Sequence, residues 1–280
     1  MLAVLISNFN HSNYIEDTLN SLVRSDSVDK IFITDDGSED NSVKVINRFR
    51  NSCNKLEFIS DSFGNLGYSN RINLYYELLN DFEFGMFLDS DDRILPKGLK
   101  LALRALERNQ YDAIFSSTAL ISADGMPQGI IDGLFAPHFD YPEEISRCCV
   151  SGGQTSNCNG ILNTLLHQNW VRTSSNILFR TDKIAKFMPM PNLRNNPDWY
   201  FALSLAISGN TSYSRIPFSE HRVHNQNVTS LNYRDSMADA KILFEKLDLL
   251  NLDSKSFGVH ALLAISENLY IKDPILKKGN

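Results

Sequence analysis

Phe84-Gly85-Met86-Phe87-Leu88-Asp89-Ser90-Asp91-Asp92 runs from a short apolar segment straight into three carboxylates. The apolar part reads as a buried strand of a mostly parallel sheet. Such a strand does not ordinarily end in three acids, because desolvated carboxylates repel one another and each costs several kcal/mol unless something positive compensates. A divalent cation is the simplest compensator, and hard ions such as Mg²⁺ or Mn²⁺ prefer oxygen ligands. The loop leaving a strand end is also where open α/β sheets bind ligands. On spacing alone, a solvated acidic turn leading to the helix after Pro96 fits equally well. A Ca²⁺ loop does not fit, since Arg93 and Ile94 stand where ligands and glycine are needed.

Outward from this stretch the chain alternates strands and helices. Leu2–Ile6 reads as a strand, followed by the polar turn Ser7–Ser12 and a helix over 13–24 with Ile15, Leu19, Leu22 and Val23 on one face. Strands at Lys30–Thr34 and Leu56–Ile59 flank a helix carrying Val43, Ile46 and Phe49, and a glycine-containing loop around Gly64 and Gly67 opens a helix to Leu79. Beyond the acidic stretch come a helix over 96–109, strands at Asp112–Ser116 and Ala119–Ile121, and a hairpin turn at Asp124-Gly125. Residues 130–172 read as an irregular insert, before a strand at Asn176–Phe179. Asn196 as N-cap, Pro197 and Asp198 open a helix that Gly209 ends, and two helices over 235–250 and 255–270 close the chain. The alternation predicts an α/β fold with a largely parallel sheet and right-handed crossovers.

The bulk numbers exclude several classes. A net charge of −6 and a pI near 5.5 argue against a nucleic-acid binder, which needs clustered Lys and Arg. No apolar run approaches the roughly 18 residues that span a bilayer, and Leu2–Ile6 is too short for a secretory core and has no basic flank. The expectation is a cytoplasmic protein whose Cys53, Cys148, Cys149 and Cys158 are reduced thiols.

Two strands of the first half end in acidic pairs, Asp35-Asp36 and Asp91-Asp92, and a parallel sheet brings such ends to one edge. No dinucleotide glycine fingerprint follows the first strand and no phosphate-binding P-loop occurs. What remains is a nucleotide edge that handles a diphosphate through a metal. Val4–His11, Phe32–Asp40, Asn65-Leu66-Gly67-Tyr68-Ser69 with Asn73, and Phe87–Asp92 come in an order and spacing that resembles the family 2 glycosyltransferases of the GT-A fold.

The resemblance covers roughly residues 1–230 and implies a GT-A domain: a Rossmann-like, mixed, mostly parallel sheet flanked by helices. Residues 1–117 would form its nucleotide-binding half and 118–230 its acceptor half, with a helical C-terminal extension over 231–280. It implies that Asn8, Phe9, Asn10, Asp36, Asn65, Gly67, Asn73 and Asp91 bind the nucleotide. Phe9 replaces a stacking Tyr and loses only its hydroxyl, and Asp36 would accept a hydrogen bond from the base. It implies further that Asp91, Asp92 and His224 hold Mn²⁺ or Mg²⁺ and that Asp198 is the general base. Without it, the helix dipole alone would explain an acid at 198 and a packed side chain would explain His224. That dipole would keep Asp198 ionised, as a proton acceptor requires. His138, His167 and His221 receive no role. Ser7 departs from the usual Pro, and Ile72 from the usual Arg, with Arg71 one place earlier.

The implied reaction is inverting transfer of a hexosyl or N-acetylhexosaminyl group from a nucleotide-diphosphate sugar, most simply a UDP-sugar. The implied acceptor is a saccharide or lipid-linked saccharide of O-antigen or capsule assembly, with peripheral contact at the inner face of the membrane. A non-catalytic nucleotide-sugar-binding protein of the same fold is the alternative, and it would have less need of Asp198.

Overall fold

The computed structural model describes residues 1–132, 169–208, 210–225 and 227, with 161–162, 164–165, 239 and 242–243 besides. The strands are β1 (Leu2–Asn8), β2 (Lys30–Asp35), β3 (Leu56–Ile59), β4 (Phe84–Asp89), β5 (Arg93–Ile94), β6 (Ala113–Ser116), β7 (Thr118–Ser122), β8 (Pro127–Ile131), β9 (Ile177–Arg180), β10 (Thr211–Ser214) and β11 (Ser219–Val223). The helices are α1 (Ile15–Val23), α2 (Ser42–Arg50), α3 (Tyr68–Tyr75), α4 (Pro96–Asn109) and α5 (Pro197–Ser208). A seven-stranded sheet has the order β10-β6-β9-β4-β1-β2-β3, and a smaller sheet the order β5-β11-β7-β8. The expected mixed, largely parallel α/β architecture is therefore present.

Alternation along the strands divides the core. Leu2, Val4 and Ile6 pack with Ile15, Leu19 and Leu22 of α1, Ile46 of α2, and Leu99 and Leu106 of α4. Ala3 and Leu5 face the other way, toward Ile72 of α3 and Trp199, Phe201 and Leu203 of α5. β1, β2 and β4 are thus buried on both faces, as their uninterrupted apolar runs require. α5 begins at Pro197, whose fixed φ and missing N–H suit a first helical position.

Two strands carry polar residues to the edge where β1, β2 and β4 end. β9 lies antiparallel between β4 and β6, with Met86 opposite Leu178, so Thr173–Asn176 just before it fall beside the end of β4. β11 pairs antiparallel with β5 and parallel with β7, which brings residues 221–224 alongside Asp91 and Asp92. β5, β8, β10 and β11 have no apolar run of their own, so periodicity does not announce them. Strands β9 and β10, from beyond residue 117, complete the sheet that β1–β4 begin. Most of the expected insert and of the helix expected over 235–250, all of that over 255–270, Gly209, Cys148, Cys149 and Cys158 lie outside the described residues, whereas Cys53 is a buried thiol.

Candidate active site

The three acids after β4 part company. Asp89 turns inward, where its Oδ2 accepts from Thr173 Oγ1 at 2.9 Å. Burial, then the nearby Asp92 and Asp91, push its carboxyl well above the usual range. Asp92 has no solvent exposure. It accepts from Thr173 Oγ1 (3.0 Å) and the Arg222 N–H (3.0 Å), and His221 Nδ1 lies 3.2 Å from its Oδ1. Burial alone would depress the His221 pKa, but Asp92, Asp91 and Asp89 outweigh it and raise it to about 9. The compensation expected from a cation is, for Asp92, supplied by the protein itself.

Asp91 points elsewhere. Its Oδ2 lies 2.8 Å from His224 Nε2. Burial pushes its carboxyl up, but His224, His11 and His221 outweigh that and hold it below the usual range. The ligand-capable atoms of His11, Asp91 and His224 all lie within 4.8 Å of one another, a group that could hold a metal ion. Asp92 is bonded inward and lies outside this group, whereas His11, which had no assigned role, lies within it. The Arg222 guanidinium fixes the turn by donating to the Asp91 carbonyl (2.8 Å) and to Asp17 of α1 (2.6 Å). Neither His221 nor Arg222 could be found by spacing, since their partners lie some 130 residues away.

The ends of β1 and β2 form the second part of the edge. Asn8 is buried and donates to Asp35 (2.7 Å) and Ser38 (3.1 Å). Asn10, at φ 54°, donates its N–H to Ser38 and accepts from the Glu39 N–H. Both asparagines shape the turn that presents Phe9, which is 41% exposed. Asp36 is buried and heavily used. Arg71 Nε (2.9 Å) and Nη2 (2.7 Å) and the Leu66 N–H donate to its Oδ1, and the Gly67 N–H to its Oδ2. Oδ2 retains room for another donor. Gly67 sits at φ +80° and ψ 159°, a conformation open essentially to glycine alone, and it lets the loop fold over Asp36. Arg71 also donates to Asp61 at 2.6 Å, and Tyr75 hydrogen-bonds the same carboxylate. Arg71 is therefore an internal clamp on this loop and is not offered to a donor. Asn65 is exposed on that loop. A cavity of about 270 Å³ opens beside it, lined by Asp35, Gly37, Phe58, Asp61, Phe63 and Gly64 among others. Asn73 sits apart from this group, both ends of its amide being bonded to the Met190 backbone (2.8 and 2.7 Å).

Asp198 stands in the first turn of α5, buried. Asn169 Nδ2 donates to its Oδ2 at 3.1 Å, while its Oδ1 is buried without a hydrogen-bond partner among the described residues. Burial raises its pKa despite the Asn169 and helix N-terminal hydrogen bonds, which lower it. The dipole effect expected to govern this carboxylate is real but smaller than desolvation. Asp239 anchors the approach to the helix, accepting the N–H groups of Arg194 (3.2 Å), Asn195 (2.6 Å) and Asn196 (3.1 Å). Nothing in the sequence around Asp239 indicated that part.

The family model described as glycosyl transferase family 2 matches residues 3–221. Among similar proteins is the poly(ribitol-phosphate) beta-N-acetylglucosaminyltransferase TarS of Staphylococcus aureus, 26% identical over 132 residues, 46% of this chain and 22% of that protein. An uncharacterized glycosyltransferase of Mycoplasma genitalium is 34% identical over 119 residues, 40% of this chain and 39% of its own. Chondroitin synthase of Pasteurella multocida is 26% identical over 145 residues, 51% of this chain and 14% of its own. The matches thus span less than half the length of these relatives. TarS 1-349 in complex with UDP-GlcNAc superposes with a TM-score of 0.65 at 18% identity, over 90% of this chain and 67% of that one. The Pyrobaculum calidifontis mannosyltransferase PcManGT, with GDP-Man and Mn²⁺, gives 0.59 at 12% identity, over 94% and 68%. These two likenesses are of fold.

Proposed function

The chain belongs to glycosyl transferase family 2, and on that premise we propose that it catalyses inverting transfer of a sugar from a UDP-sugar to a saccharide acceptor. The observation that carries this reading is Asp198, whose Oδ1, at the start of α5, is buried with no hydrogen-bond partner among the described residues. A protein that only bound sugar nucleotides would gain nothing from an uncompensated carboxylate oxygen, which is costly to bury. A raised pKa makes Asp198 a stronger base, and an effective base has a pKa near the working pH.

Asp198 accepts the proton of the acceptor hydroxyl as its oxygen attacks the anomeric carbon, and Asn169 holds the carboxylate through Oδ2. Phe9 offers its exposed face to the base, and the 66–67 loop with Asp36 bounds the nucleoside. Asp91 and His224 hold a divalent cation, a role that fits a carboxylate and an imidazole held in direct contact. When bound, such an ion supplies positive charge against the diphosphate leaving group. The names of the relatives, directed at poly(ribitol-phosphate) and chondroitin, support a surface-polymer acceptor, for which we carry a lipid-linked O-antigen or capsule intermediate. An N-acetylhexosaminyl group is the donor sugar most in keeping with them.

Calorimetric titration with UDP, GDP and dTDP, each with and without Mn²⁺, tests the donor site. UDP is expected to bind, and more tightly with Mn²⁺. Failure of all three to bind would overturn the reading, and tighter binding of GDP would reassign the base. UDP release from UDP-GlcNAc and related donors then separates an enzyme from a binder.

A further inference from the structure

We propose that His11 is a third protein ligand of the cation site, making it a two-imidazole, one-carboxylate set that selects a transition-metal ion over Mg²⁺. The proposal rests on the cation reading above and concerns a residue to which that reading assigns nothing.

Geometry comes first. The ligand-capable atoms of His11, Asp91 and His224 lie within 4.8 Å of one another. Metal–ligand bonds of about 2.0–2.2 Å place neighbouring ligands roughly 3 Å apart, and His224 Nε2 and Asp91 Oδ2 are already 2.8 Å apart. Two ligands thus sit at the spacing of a coordination edge, and a ligand atom of His11 lies within 4.8 Å of both.

Both rings are oriented from behind. His11 Nδ1 lies 2.7 Å from Ser90 Oγ. With Nδ1 donating there, Nε2 carries the free lone pair, which is how outer partners usually set up a metal-binding histidine. Ser90 is itself held, since Thr18 Oγ1 donates to its carbonyl at 2.9 Å. The His224 ring stacks on Tyr14 at 4.5 Å, with His11 edge-on at 5.8 Å. Tyr14 in turn lies under the Arg222 guanidinium, 5.2 Å from its centroid. A loose surface histidine has no such support.

Donor chemistry then fixes the ion class. Mg²⁺ is best held by oxygen and sheds water reluctantly, whereas imidazole suits transition metals. The set expected from the sequence, two carboxylates and one histidine, would have suited Mg²⁺ and Mn²⁺ alike. Replacing the inward-turned Asp92 by His11 removes one negative charge and adds one nitrogen, and both changes disfavour Mg²⁺.

Mn²⁺ binding to the full chain in the presence of UDP, followed by electron paramagnetic resonance, reads the site without reference to turnover. Wild type should bind Mn²⁺ more than about tenfold tighter than Mg²⁺, with electron-spin-echo modulation from two imidazole nitrogens. His11→Gln should weaken Mn²⁺ by about tenfold or more, leave Mg²⁺ nearly unchanged, and reduce the modulation to one nitrogen. Unchanged Mn²⁺ affinity in His11→Gln, or a single imidazole in wild type, would overturn the proposal even if the variant folded poorly. Unchanged binding in Asp91→Asn would instead overturn the cation reading beneath it.

Discussion

Asp36 and Asp198 are both buried aspartates at the functional edge of one sheet, and they are treated in opposite ways. Asp36 receives four hydrogen bonds, two of them from the buried Arg71 guanidinium. Asp198 receives one from a side chain besides those of its helix N-terminus, and its Oδ1 has no hydrogen-bond partner among the described residues. A buried carboxylate that is fully paired holds structure together, and removing its partner is expensive. One left partly unpaired is a standing cost to stability, retained where a proton has to be taken. On the proposed function, saturation at Asp36 and deficit at Asp198 would mark which end is framework and which end is chemistry.

The largest expected effect is at the deficit. Asp198→Asn should lower the rate of sugar transfer by about 10²–10⁴-fold while leaving UDP binding intact. It should also raise the melting temperature at neutral pH. Because burial raises the carboxyl pKa, the folded state favours the protonated acid. That contribution is fully present below the unfolded pKa of about 3.9 and is lost as pH rises through the folded value. Asparagine never ionises and escapes the loss. Steady-state kinetics and thermal unfolding check both halves, and a slow variant that is also less stable would remove the contrast with Asp36.

The paired end should respond in reverse. Arg71→Met leaves Asp36 and Asp61 without their shared cation, a type of loss that costs roughly 3–5 kcal/mol. Denaturant unfolding should show that destabilisation, and UDP affinity should fall with it because the 61–67 loop loses its clamp. Native stability with impaired transfer would mean that Arg71 touches the donor after all.

How far the sequence spoke follows the same division. The apolar runs of β1, β2 and β4 and their acidic ends are local signals, and they carried both the fold and the region of the site. α4 was legible to the residue because Pro96 and an amphipathic stripe mark it. What could not be read was how the acids are shared out. Asp92 is drawn inward by Thr173, His221 and Arg222, groups from the turn before β9 and from β11 whose approach depends on strand order. His11 ends the quoted Val4–His11 motif, yet only the convergence of β1, β4 and β11 gives it a partner. Asp198 was visible as a helix-opening acid, but the balance between dipole and desolvation depends on what covers it.

The finest test of the contrast is Asn169→Ala. Asn169 Nδ2 donates to Asp198 Oδ2, and that hydrogen bond favours the ionised carboxylate, opposing the effect of burial. Without it the pKa of Asp198 should climb further, so the acid limb of the kcat–pH profile moves to higher pH. At neutral pH the variant is slower because less of the base is ionised. On the alkaline plateau it recovers, since the carboxylate is then charged in both proteins. A uniform loss at every pH, with the limb in place, would mean that Asn169 binds the acceptor rather than tuning the base. A shift with recovery keeps Asp198 at the deficient end and shows that a single side-chain amide limits how deep the deficit runs.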